Sequence, residues 1–199
     1  MKKIGIFGGV FNPPHNFHFA VAEEILNNHP EFEKIIFMPV GDKYKKPEII
    51  PAKHRYNMLK LACNKNKKIE VSDFEIQQEE QFYAYQTLDA FQKRYPDCQF
   101  SFIIGSDSLK TFETWKRYEY LLNRYEILVY PRGNDNAEKI LAEHPILKNV
   151  KELFTLANCH ISTNISSTFI RKSLKNGKKI NYLLPEEVLK YIEEHKLYR

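Results

Sequence analysis

The chain has 199 residues, 43% of them hydrophobic, with charges of both signs interspersed and a net charge of +5, which excludes a disordered chain and fits one domain with a sizeable core. Cys63, Cys98 and Cys159 are widely spaced and odd in number, which argues against a disulfide framework or a paired-cysteine metal site and fits a reducing compartment. No apolar run reaches membrane-spanning length, Met1-Lys2-Lys3 leads straight into a strand pattern, and no basic block interleaved with aromatics marks nucleic-acid binding, so we expect a cytoplasmic protein without membrane or nucleic-acid partners.

Strand and helix patterns alternate along the chain. Residues 3–7 read as a buried strand and 18–28 as a helix. Residues 34–38 read as a second strand, stopped by Pro39, and a polar loop from Gly41 to Pro51 follows. A helix is expected over about 52–64, with Cys63 on its apolar face, then a short basic turn and a third strand over 69–75. A third helix is expected at about 83–95, closed by Pro96. Residues 99–104 form a strongly apolar fourth strand running into Gly105-Ser106-Asp107-Ser108, and 126–130 form a fifth. The stretch 132–160 is less periodic, with a helix expected at 135–143. Ser166-Ser167-Thr168 then begin a helix that Gly177 stops, and Pro185 opens a last one over 185–195. Repeated strand–helix units predict an α/β fold, a mainly parallel sheet with helices on both faces. No domain boundary is needed: we expect a single domain over 1–199 with a helical appendage at about 178–199.

Two segments carry chemistry. Gly8-Gly9-Val10-Phe11-Asn12-Pro13-Pro14-His15-Asn16-Phe17-His18 lies between the first strand and first helix. Open α/β sheets bind ligands at such junctions. Glycine lets backbone approach phosphate, a helix N-terminus offers free N–H groups, and two imidazoles add donors. Metal ligation by His15 and His18 is an alternative, but no third ligand stands at a convincing spacing. A capping role for each histidine is another. The second segment, Ile165-Ser166-Ser167-Thr168-Phe169-Ile170-Arg171, sets hydroxyls at a helix start with an arginine on the same turn, a second anion site or an ordinary N-cap. Two anion sites at such turns point to a polyphosphate held between them.

The first segment resembles the GG(T)FxPxHxGH signature of the nucleotidylyltransferase superfamily, and Ile165 to Arg171 looks like its ISSTxIR partner. Phe102-Ile103-Ile104-Gly105-Ser106-Asp107-Ser108-Leu109, followed by Thr114-Trp115, is similar to a further stretch of the pyridine-nucleotide adenylyltransferases. The resemblance implies a Rossmann-like nucleotidylyltransferase fold. It implies an enzyme of NAD biosynthesis that moves AMP from ATP to nicotinate mononucleotide or nicotinamide mononucleotide and releases pyrophosphate. On that resemblance His18 is expected near the α-phosphate and His15 near the β/γ-phosphates. The N–H groups of Gly8, Gly9, Val10 and Phe11 would line the phosphates, with Ser166, Ser167, Thr168 and Arg171 at the pyrophosphate end. Lys43 or Lys46 would add charge, or else belong to a solvated loop. Trp115 would stack on the pyridine ring, Asp107 would accept from a ribose hydroxyl, and Gly105 would make room. Tyr83 and Thr87 lie where the family reads its acceptor, although core packing explains Tyr83 equally well. Mg2+ would arrive with ATP, held by phosphate oxygens and water rather than by a protein metal cage. A homo-oligomer is compatible with the pattern.

Several positions depart from the bacterial nicotinate pattern. Val10 stands for Thr, Asn12 for Asp, and Phe17 for the Gly between the histidines. The loop Pro39-Val40-Gly41-Asp42-Lys43-Tyr44-Lys45-Lys46, the pair His54-Arg55 and the turn Arg132-Gly133-Asn134-Asp135 look like the nicotinamide enzymes of eukaryotic type. These departures leave the acid-or-amide preference open. Another phosphorylated acceptor, or a non-catalytic nucleotide-binding module, are the competing readings.

Overall fold

Apolar residues alternate along each strand between two faces of one sheet. Ile36 and Met38 pack with Phe102, Ile104, Ile127 and Val129 on one side. Ile35 and Phe37 pack with Ile103 and Leu128 on the other. Both faces are thus apolar, the signature of a parallel sheet covered by helices on both sides. The computed structural model describes residues 2–199. Its strands are β1 (Lys2–Gly9), β2 (Phe32–Pro39), β3 (Ile69–Val71), β4 (Cys98–Gly105), β5 (Glu126–Tyr130) and β6 (Phe154–Leu156). They pair in the order β3-β2-β1-β4-β5-β6, and every pairing is parallel.

The helices are α1 (Asn16–Asn28), α2 (Ala52–Cys63), α3 (Ala84–Arg94), α4 (Tyr118–Arg124), α5 (Ala137–Glu143), α6 (Ser167–Lys175) and α7 (Glu186–Glu194). Val21, Ala22 and Ile25 of α1 and Leu59 of α2 cover one face. Leu88 and Phe91 of α3, Leu121 and Leu122 of α4, and Leu141 of α5 cover the other. The C-terminal segment carries its own apolar cluster: Val188, Tyr191 and Ile192 of α7 and Ile170 of α6 close on Met58 and Ala62 of α2.

The strand order reverses between β1 and β4, and it is outside the carboxyl ends of such strands that open α/β sheets bind ligands. Three expectations change. The third strand ends at Val71 rather than residue 75, because the N–H groups of Ile76 and Gln77 turn back to the Asp73 carbonyl. A sixth strand, β6, forms in the stretch of weak periodicity, too short to show a period. The chain after β4 takes a 3-10 turn over Ser106–Thr114 and then α4, with Leu109 and Phe112 of that turn fully buried.

Candidate active site

The glycines ending β1 begin the site. A side chain at Gly8 would collide with the ring of Phe102 on β4, so glycine here leaves room for that ring. Phe11 holds a φ of 50°, a left-handed conformation uncommon for a bulky residue. Its ring is wedged edge-on against Phe37, 5.3 Å away, and His18, 5.0 Å away.

His15 and His18 follow at the start of α1. Their rings stack with centroids 3.7 Å apart, and both are buried. The His15 backbone N–H donates to His18 Nδ1 at 3.1 Å. That bond leaves the proton of the neutral His18 ring on Nε2, and His18 lines the cavity described below. Both ring nitrogens of His15 are buried and unpartnered within the protein. Burial first, then the Arg132 charge, lowers His15 to about 3. Burial, then His15 and Arg132, holds His18 well below its ordinary value. Both rings are therefore neutral at physiological pH. Phe17 lies 6.4 Å from His15 and 6.1 Å from Tyr130, ring centre to ring centre, and is itself buried.

The second anion motif meets the first directly. Ser166 caps α6, its hydroxyl accepting from the Phe169 N–H at 3.2 Å. Ser167 Oγ donates to the Pro13 carbonyl at 2.8 Å. Arg171 Nη1 donates to the Asn12 carbonyl at 3.0 Å, Nη2 lies 3.4 Å from Thr168 Oγ1, and the guanidinium is 3.5 Å from Glu48. The approach to α6 is fastened in turn. The N–H groups of His160 and Ile161 donate to the Glu24 carboxylate of α1, and Ser162 Oγ donates to the Gly133 carbonyl.

Between these segments lies a cavity of about 560 Å³, the size range of small-molecule sites. Gly8, Gly9, Val10, Phe11 and His18 line it. So do Ser166, Ser167, Thr168 and Arg171, with Lys46 from the loop after β2. Gly105, Tyr83 and Trp115 line it as well. Trp115 stacks on Phe112 at 5.0 Å and meets Phe102 edge-on at 6.0 Å, so packing fixes its plane.

Four of the expected residues do not line the cavity. His15 stacks on the His18 ring and is not among the residues that line the cavity. Lys43 is exposed on the loop after β2. Asp107 is exposed and pairs with Arg132 at 3.2 Å. Thr87 is fully buried and donates to Glu75 Oε1 at 2.6 Å, so it meets a lining residue and not the cavity itself.

Other residues here were given no site role by the sequence reading, although it named Arg55 and Arg132. Arg132 lines the cavity beyond the carboxyl end of β5, held by its N–H to Ser106 Oγ at 2.9 Å. Its place after a strand beside the switch point was a usable signal. Arg55 is fully buried and spreads its guanidinium over three carbonyls: Val10 at 2.9 Å, Val40 at 2.7 Å and Ile50 at 3.1 Å. Tyr198 donates to Asn12 Oδ1 at 2.8 Å, while Asn12 Nδ2 donates to the Glu48 carbonyl. Nothing in the local pattern around Tyr198 announces that contact.

This arrangement gathers neutral ring donors, backbone N–H groups, hydroxyls and guanidinium groups around one cleft, a donor set suited to phosphate oxygens. Comparison with known proteins agrees. The cytidylyltransferase-like family pattern matches residues 6–173. A Clostridium tetani protein described as a probable nicotinate-nucleotide adenylyltransferase is 35% identical, with all of both chains covered. One of the same description from Lachnoclostridium phytofermentans is 36% identical, again over all of both chains. The Plasmodium falciparum nicotinic acid mononucleotide adenylyltransferase, solved in complex with NaAD, superimposes with a TM-score of 0.80 at 25% identity, covering 100% of this chain and 98% of that one. The chain is a member of the cytidylyltransferase-like family and, within it, of the nicotinate-nucleotide adenylyltransferases.

Proposed function

We propose that this protein transfers AMP from ATP to the 5′-phosphate of nicotinate mononucleotide, or of nicotinamide mononucleotide, in NAD biosynthesis. One observation carries the site assignment: the neutral His18 ring, stacked on His15, lines the same cavity of about 560 Å³ as Ser166, Ser167, Thr168 and Arg171 of the α6 start. The relatives that match over all of both chains are described as probable nicotinate-nucleotide adenylyltransferases, which supports nicotinate mononucleotide as acceptor.

The reaction joins two anions, so the enzyme's first task is to neutralise charge. An oxygen of the acceptor phosphate attacks the α-phosphorus of ATP. The bond to the bridging oxygen breaks, and pyrophosphate leaves with its electron pair. The attacking phosphate is already ionised, so the histidines act as hydrogen-bond donors rather than as bases. A neutral imidazole with its proton on Nε2 donates from that atom. His18 is therefore assigned to the α-phosphate, where charge builds up during transfer. His15 does not line the cavity; its buried ring, whose nitrogens have no protein partner, stacks on His18 and is assigned to holding that ring toward the phosphates. Arg171, Ser166, Ser167, Thr168 and Lys46 receive the pyrophosphate end.

Trp115 offers a fixed aromatic face to the pyridine ring. Arg132 is placed to meet the acceptor phosphate, which would draw it from Asp107. The Mg2+ that would accompany ATP is assigned to phosphate oxygens and water. Among the described residues no helix is long and apolar enough to cross a membrane.

Incubation with magnesium-ATP and each mononucleotide in turn, with pyrophosphate as the readout, tests this reading. Release with at least one of the two is expected, and none with either would overturn it.

A further inference from the structure

Among the described residues, Glu75 is the only buried acidic side chain, with 7% of its surface exposed. It stands on the cavity wall beyond β3, where Tyr83 and Ala84 at the start of α3 and Trp115 also line it. Its Oε1 accepts from Thr87 Oγ1, and among the described residues no hydrogen bond reaches its other carboxyl oxygen. The mechanism above makes no use of it. A carboxyl held on a cavity wall with one oxygen fixed and one open is a ready hydrogen-bonding group for a ligand.

We infer that Glu75 reads the substituent on the acceptor's pyridine ring and thereby sets the choice between a ring carboxylate and a ring carboxamide. The inference rests on the acceptor proposed above, with the ring lying at the Trp115 end of the cavity.

Burial pushes the Glu75 carboxyl up to about 7, with the Thr87 bond pulling the other way. The titratable and charged groups that line the cavity with Glu75 are Tyr83 just before α3, Tyr44 and Lys46 on the loop after β2, Lys116 beyond Trp115, Tyr130, Arg132, Arg171 and His18, and Asp73 stands on its own segment. None of them forms an ion pair with Glu75. Because Thr87 donates to Oε1, the proton of the acid form sits on Oε2. Below neutrality that O–H donates to a nicotinate carboxylate or to the carbonyl of a nicotinamide. Above neutrality Glu75 is ionised. It then opposes a second carboxylate in a poorly solvated site, but still accepts from the amide N–H of nicotinamide. Preference for the acid should therefore weaken as pH rises. A purely structural Glu75–Thr87 tie would affect both acceptors alike.

The test measures kcat/KM for nicotinate and nicotinamide mononucleotides between pH 6 and 8.5 and follows their ratio, in which effects on ATP, the acceptor phosphate and the shared histidines cancel. In the wild type the acid-to-amide ratio should fall by about fivefold or more, the scale of one like-charge contact, with its midpoint near 7. Glu75→Gln keeps the Thr87 bond and is permanently neutral, so its ratio should stay flat near the wild type's low-pH value. Thr87→Val removes the bond that favours the ionised form, and the midpoint should move to higher pH. A pH-independent ratio in the wild type would overturn the inference, as would a fall that persists in Glu75→Gln. Should that variant not fold, an unmoved midpoint in Thr87→Val would do the same. Turnover with either acceptor but no such pH effect sinks this inference alone. No pyrophosphate with either sinks the acceptor reading, and this inference with it.

Discussion

Arg171 Nη1 donates to the backbone carbonyl of Asn12 at 3.0 Å across a sequence separation of 159 residues. One guanidinium thus braces the loop that carries the histidines and also faces the cavity. Arg171→Ala should lower kcat/KM by roughly 10²–10³-fold, the usual loss for one donor aimed at transition-state charge. Arg171→Lys restores the charge but not the planar fork, and should recover only part of it. Steady-state kinetics with circular dichroism as a fold control checks both. Near-normal turnover in the alanine variant would remove Arg171 from the mechanism.

His18→Ala should cost a similar factor of about 10²–10³ in kcat, because it removes the ring donor nearest the cavity. His18→Gln, which keeps an N–H, should fall between that variant and the wild type. An activity order in which Ala matches Gln would argue against hydrogen-bond donation as the role of this ring.

The buried histidine pair also fixes how stability depends on acid. Each ring binds its proton less readily folded than unfolded, so the unfolded chain takes up more protons below about pH 6.5. Stability is complete above that value and is lost as pH falls toward the folded value, about 3 for His15. Well below pH 6.5 the loss approaches ~1.4 kcal/mol per pH unit for each histidine. Urea melts at pH 7.5, 6.5, 5.5 and 5.0 should show this decline, and His15→Phe should make it shallower. An equally steep decline in the variant would mean that other groups cause it.

Trp115 is assigned to the acceptor alone. Trp115→Ala should raise KM for the mononucleotide by about tenfold, the scale of one aromatic stacking contact, and leave KM for ATP within about twofold. Trp115→Phe should keep most of the affinity. Equal changes in both KM values would place the indole elsewhere in the reaction.

Tyr198→Phe deletes only the hydroxyl that donates to Asn12 Oδ1. It should lower stability by about 1 kcal/mol, the net worth of one such bond, and raise KM for ATP as the cradle loop loosens. A denaturant melt gives the first quantity and initial rates the second. A stability loss with unchanged KM would show that Tyr198 supports the fold without shaping the site.

Strand and helix order was largely legible because both sheet faces and the helices α1, α2 and α3 repeat their apolar residues at the expected periods, whereas α4 follows an irregular turn and was not read. β6 was not, since three residues set no period, and the 3-10 turn after β4 mixes spacings. Glycines, histidines and the Ser-Ser-Thr helix start could be read as anion binders from local chemistry alone. Arg55, Glu75 and Tyr198 could not. Their importance comes from what folding brings beside them: three carbonyls, a threonine on α3, and Asn12. Thr87 is instructive in the opposite sense. The family resemblance placed it beside the acceptor, but its hydroxyl meets the cavity only through Glu75.

The ties from Asn12 and Pro13 to Arg171, Ser167 and Tyr198 span between 154 and 186 residues. Contacts that distant in sequence carry the largest loop-closure entropy and form after local pairings in most small folds. The sheet can therefore assemble before the cleft is finished, leaving a folded but catalytically incomplete species for a time. In a refolding experiment, tryptophan fluorescence from Trp115, packed against Phe112, should recover ahead of enzymatic activity.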